Sequence, residues 1–271
     1  MSELGRIEAR IRALSQIREV VRAMRGVASS RLRESEHLLH ATGRYRDILA
    51  EVHARIRAAH ATLSPAANGA PILIVTSEHG FVGPLGRHIA AEARARLPAG
   101  TRPWVVGRRG AAFLEEAGFR LQGVLAQAGH PRAVVRRARE LRAALGRPAR
   151  LRLLHPRPTL GGFEIGDEVI PAPPGVRAGR GRPPLPRTHL PVPALEEALA
   201  EELVLAGIVH ALAAAFAVET AMRLRTCEQA SRNIERRSEE LAHLKNRLRQ
   251  EAITEELLDL VAGAEAVMRS G

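Results

Sequence analysis

The chain has 271 residues and a formal net charge of +12, with 45% hydrophobic but only 3% aromatic residues, so any core has to be built from aliphatic and alanine packing. A single cysteine, Cys227, excludes an internal disulfide or a thiolate metal cluster within one chain. No run of about 18 apolar residues and no signal-peptide pattern is evident, so a peripheral or intracellular protein is expected.

From Ser2 to about Leu63 there is no proline, and Ile7, Ile11, Leu14, Ile17, Val21, Met24 and Ala28 recur at spacings of three and four. That is the stripe of a long helix seeking a partner helix. At 1.5 Å per residue, roughly 60 residues would span about 90 Å, which predicts a projecting rod. Proline, asparagine and glycine between Ser64 and Pro71 end the helix.

The texture then changes. Ile72 to Val75 and Trp104 to Val106 read as short buried strands, with helices predicted at Arg87 to Leu97, Ala111 to Ala117 and Pro131 to Leu145, and a further strand at Leu151 to Leu154. Strands alternating with helices predict a small parallel-sheet α/β (Rossmann-like) domain. Between His155 and Pro193, prolines and glycines predict a linker, with a possible hairpin at Phe163 to Ile170 and a basic flexible stretch at Arg177 to Arg187. From Ala194 to Met268 proline is again absent, which predicts a second and longer helix. Its stripes are Leu241, Leu244 and Leu248, then Ile253, Leu257, Leu260, Ala264 and Val267.

The expected organisation is therefore an N-terminal long helix over 1–63, a central α/β domain with its linker over 71–193, and a C-terminal long helix over 194–271. The two terminal helices are expected to pair as an antiparallel two-helix coiled coil.

Candidate chemistry is sparse. The loop Gly80-Phe81-Val82-Gly83-Pro84-Leu85-Gly86 follows a strand, as phosphate-binding loops do, but it lacks their glycine spacing, and Pro84 removes an N–H donor. A tight turn is the simpler reading. His37 with His40, and His53 with His60, share helix faces without a completing ligand set and are expected as surface side chains. Cys227 is expected to be a small packed side chain rather than a nucleophile. Arginine pairs such as Arg236-Arg237 alternate with Glu235, Glu239 and Glu240, the pattern of a solvated helix face. On residues alone the chain reads as a coiled-coil rod bearing a small α/β unit, and a basic coiled-coil nucleic-acid-binding protein and a nucleotide-binding α/β enzyme with helical arms stay open.

Two segments resemble a known family. Arg22-Ala23-Met24-Arg25-Gly26-Val27-Ala28-Ser29-Ser30-Arg31-Leu32 is similar to the N-terminal signature of the F-type ATPase gamma subunit. Asn246-Arg247-Leu248-Arg249-Gln250-Glu251-Ala252-Ile253-Thr254-Glu255-Glu256-Leu257 is closer still to its C-terminal one. Val75 to Gly83 and Val105 to Gly110 resemble the family in the middle of the chain, and Glu219, Arg223 and Asn233 fall where its helix carries such residues. Arg22, the Glu78-His79 pair and Val82 depart from the family pattern, as a divergent, ion-pumping branch would.

The resemblance implies a non-catalytic rotor shaft coupling transmembrane ion flow to ATP synthesis or hydrolysis. Its implied partners are the alpha and beta subunits of the catalytic ring, the epsilon subunit and the membrane c-ring, at the cytoplasmic face of a bacterial membrane. It implies no cofactor and no nucleic acid. Met24, Arg249, Gln250, Thr254 and Glu256 are carried over as residues that touch the ring or fix the shaft's packing.

Overall fold

The computed structural model describes residues 3–60, 69–172 and 189–269. The element order is α1 (Glu3–His60), β1 (Ile72–Val75), α2 (Leu85–Arg96), β2 (Trp104–Val106), α3 (Arg108–Glu116), β3 (Gly123–Leu125), α4 (Val134–Ala144), β4 (Leu151–Thr159), β5 (Gly162–Ile170) and α5 (Val192–Arg269). A 3-10 turn, Pro131–Ala133, leads into α4. The chain divides into two compact units, one of residues 1–27 with 225–271 and one of residues 28–224.

In the larger unit a five-stranded sheet has the order β3-β2-β1-β4-β5. Pairing is parallel from β3 through β2 and β1 to β4, and antiparallel between β4 and β5. The sheet is therefore mixed, which corrects the all-parallel expectation. The reason lies in β4, which does not stop at Leu154. It runs on to Thr159 and turns through Leu160 and Gly161 straight back into β5, and so short a connection can only join antiparallel neighbours. Residues 155–159 and 162–170, expected to open a linker apart from a possible hairpin, are thus paired strand. The strand β3 was also missed, because Gly123-Val124-Leu125 is too short to carry a periodic signal.

Alternation along the strands sorts two cores. Leu73, Val75, Val106, Leu151, Leu153 and Ile170 face α4 and the apolar stretch of α5 through Val134, Ala138, Leu141, Val204, Ile208 and Leu212. Ile74, Val105 and Leu154 face α2 and α3 through Leu85, Ile89, Ala93, Ala111 and Leu114. Leu38 and Leu49 bring α1 against the first core. Gly207 makes the close approach of α5 possible: a Cβ there would lie 2.4 Å from Ile170 Cδ1. One 18-residue window of α5 has a mean hydropathy of 1.9, apolar enough by composition to cross a membrane, but 89% of it is buried in the protein. The sequence shows this as a run broken by His210, whereas the fold uses it as the central core helix.

The smaller unit holds the beginning of α1 and the end of α5. Val21, Cys227 and Ile234 are buried together, with Leu14, Met24 and Ala230 packed on them. Glu8 pairs with Lys245 at 2.9 Å, and Arg18 donates to Ser238 at 2.9 Å. Partners on α5 descend in number as those on α1 ascend, so the two segments run antiparallel. Cys227 is fully buried, as its small apolar character requires.

Candidate functional site

Backbone N–H groups at the ends of β1 and β2 are the place where an α/β sheet would receive an anion. Here the protein's own carboxylates occupy them. Glu78, just past β1, accepts from Arg108 N at 3.2 Å and Gln127 N at 3.0 Å through Oε2, and its Oε1 lies 3.6 Å from Arg108 Nε. Glu219 on α5 is 4% exposed and accepts from Glu78 N at 3.1 Å and His79 N at 3.4 Å. Arg223, one turn further on, donates to the same carboxylate. Burial of a carboxylate is tolerated because every oxygen has a donor.

The backbone around this pair is tight. Gly107 has φ +106, and a Cβ there would meet the carbonyl oxygens of Ser77 and Thr76 at 2.6 and 2.7 Å. Gly110 packs onto the Thr76 side chain just as closely. The glycine-rich loop that follows forms a turn, with Leu85 N donating to Val82 O. The turn reading of residues 80–86 therefore agrees with the backbone, and the N–H groups of Glu78 and His79 ahead of it are already committed to Glu219.

A second polar cluster lies between β4, β5, α1 and α5. Glu168 sits 3.1 Å from His155 Nε2, 2.9 Å from Arg157 and 3.3 Å from Arg46. His155 is fully buried, its Nδ1 3.3 Å from Pro156 O, and its ring meets that of His210 edge-on at 6.2 Å. His210 Nδ1 in turn lies 3.3 Å from Thr42 Oγ1. Burial raises the carboxyl pKa of Glu168, but the hydrogen bond and charge of His155, with Arg157 and Arg46, more than offset this and hold it at about 2. Burial, reinforced by Arg46, pushes His210 down to about 4. His53, expected on the surface, is buried 4 residues ahead of Arg57, and burial with that arginine's charge lowers its pKa.

The residues singled out from sequence lie elsewhere, in the smaller unit. Met24 is half-buried against Val21 and Cys227. Arg249, Gln250, Thr254 and Glu256 are all exposed on α5, and Thr254 Oγ1 returns a hydrogen bond to Gln250 O at 2.9 Å. The structure does not bring these four into a common cluster. Beside them Ile253, Leu257, Leu258, Leu260 and Val261 are between 49% and 70% exposed. Sequence reasoning missed the roles of Glu78 and Glu168. A usable signal existed for Glu219 and Arg223, an i,i+4 pair placed immediately after the apolar run Ala211 to Val218.

Two long terminal helices and a small mixed sheet, with the sheet's anion-accepting end closed by internal carboxylates, define a helix-rich protein with a small α/β sheet. The ATP synthase family matches residues 3–146 and 188–267. The chain belongs to that family as a gamma subunit, a non-catalytic component that is peripheral to the membrane and serves as the shaft of a rotary ATP synthase. It is 25% identical over 292 residues to the ATP synthase gamma chain of Acidithiobacillus ferrooxidans, covering 98% of this chain and all of the relative. It is likewise 25% identical to the ATP synthase gamma chain of Anaeromyxobacter sp. over 293 residues, with the same coverage. Among solved structures, the fold matches a chain of the Euglena gracilis mitochondrial ATP synthase OSCP/F1/c-ring assembly with TM-score 0.70 and 14% identity, covering 97% of this chain and 94% of that one. It matches the rotor of the same enzyme with TM-score 0.66 and 12% identity, covering 92% and 98%.

Proposed function

We propose that the paired terminal helices form an antiparallel coiled coil that turns inside a ring of alternating alpha and beta subunits. The central domain, a Rossmann-like layer with an added antiparallel edge, then meets the epsilon subunit and the membrane c-ring at the cytoplasmic face. The observation that carries this reading is the end of α5. Ile253, Leu257, Leu258, Leu260 and Val261 expose apolar surface beside the polar side chains of Arg249, Gln250, Thr254 and Glu256. Apolar patches of this kind mark an interaction surface. A tip of this type turns with little resistance in an apolar sleeve, because dispersion contacts lack the directional preference of hydrogen bonds.

Met24 packs the shaft internally, whereas Arg249, Gln250, Thr254 and Glu256 face the ring. Rotation of an asymmetric shaft favours a different conformer of each catalytic subunit in turn, so the chain acts by differential stabilisation of states and ATP chemistry stays in the ring. The excess of arginine meets acidic loops on the catalytic subunits, a contact that salt weakens.

Co-expression with the alpha and beta subunits of the same source, followed by a Mg-ATPase assay, tests the proposal. One copy per ring with chain-dependent turnover, lost on truncation before Asn246, is the expected result. Absence of a complex, together with unchanged ATPase, would overturn it.

A further inference from the structure

At the end of the sheet opposite Glu78, the turns leading into β2 and β3 enclose a cleft of about 560 Å³. Its walls come from the last turn of α2 with residues 97–102, and from residues 117–120 after α3. Leu97, Pro98 and Phe119 supply apolar surface, while Arg94, Arg102 and Arg120 supply charge. All three arginines are exposed. None of the cleft's lining residues is acidic. Several other arginines of the same unit are committed, among them Arg96 to Glu92, Arg142 to Glu201, Arg152 to Asp167 and Arg157 to Glu168. Among the described ion pairs and hydrogen bonds, Arg94, Arg102 and Arg120 take no part.

Two bland roles for these cations are weaker. They could neutralise the C-terminal ends of α2 and α3, but Ala93 O, Phe113 O and Glu115 O there already accept from Leu97 N, Ala117 N and Gly118 N. They could balance Glu115 and Glu116, yet those carboxylates lie outside the cleft lining and take part in none of the described ion pairs.

We infer that this cleft binds a compact phosphate-rich anion, gripped by the forked guanidinium groups of Arg94, Arg102 and Arg120. Planar guanidinium forks match phosphate oxygens two at a time, and three arginines lining one hollow favour a multiply charged group over a single carboxylate. The volume lies within the range of small-ligand sites. Phe119 and Pro98 offer a face for an apolar or planar portion of the same molecule. The site is separate from the shaft surface, and its test does not depend on ring assembly.

Tripolyphosphate titrated into the full chain by calorimetry at low ionic strength supplies the probe. Saturable one-to-one binding is expected, weakened about tenfold or more by the combined Arg94→Gln, Arg102→Gln and Arg120→Gln variant. Loss of the same charge at Arg132, Arg136 and Arg139 should leave it within about twofold. Equal weakening by both arginine triples would show diffuse attraction and overturn the inference. So would tighter, arginine-dependent binding of a polyglutamate peptide, which would make the cleft a protein-docking surface, and so would no heat at millimolar tripolyphosphate. Thermal melts of each variant separate lost binding from lost folding.

Discussion

Glu219 on α5 holds the backbone N–H of Glu78 at 3.1 Å, tying the core helix to the end of the first strand. The two carboxylates act in series. Glu219 fixes the loop in which Glu78 lies, and Glu78 then accepts the N–H groups that open α3 and follow β3.

Replacing Glu219 with alanine leaves the Arg223 guanidinium, only 16% exposed, without its carboxylate and two loop N–H groups without their acceptor. A loss of about 3–5 kcal/mol is expected from breaking a buried pair on one side. Urea unfolding of the full chain measures it. A loss under about 1 kcal/mol would show that water replaces the carboxylate freely.

Acid should unfold the larger unit in two overlapping stages. His210 has its folded pKa depressed from 6.5 to about 4, so its neutral form is favoured by folding, and stability falls as pH drops from 6.5 through 4. Glu168 is depressed from 4.5 to about 2, so its contribution is full above 4.5 and disappears as pH falls towards 2. The Glu168 difference amounts to about 3 kcal/mol. His210→Phe should flatten the upper stage and Glu168→Gln the lower one, as read from denaturant midpoints across pH. If both variants keep the wild-type profile, the cluster is not the source of acid sensitivity.

Gly107→Ala should cost about 3 kcal/mol, because φ +106 disfavours any side chain and the new Cβ would lie 2.6 Å from the Ser77 carbonyl oxygen. Gly26→Ala, where a Cβ meets nothing within 4 Å inside a helix, should be neutral or stabilising. The difference in melting temperature between the two variants checks the point.

Leu257→Ser with Leu260→Ser removes apolar surface that is 57% and 70% exposed, so the isolated chain should keep its stability within about 0.5 kcal/mol. In the assembled complex, chain-dependent ATPase should fall. A melting point lowered in the isolated chain would instead place these side chains in an internal contact.

The long helices are legible in the order of residues, because an absence of proline over some 60 or more residues, combined with a 3.5-residue stripe, leaves few other structures. The sequence also placed Ile72–Val75 and Trp104–Val106, whose apolar runs are buried on both faces, and the family signature around Asn246 to Leu257. These are local signals, written in the order of neighbouring residues. Tertiary structure decided the rest. That His155 and Glu168 meet depends on the β4–β5 register, and that Glu219 reaches back 141 residues to Glu78 depends on where α5 is laid against the sheet. A buried charge acquires a role only from donors delivered by other elements, and no spacing along the chain records them.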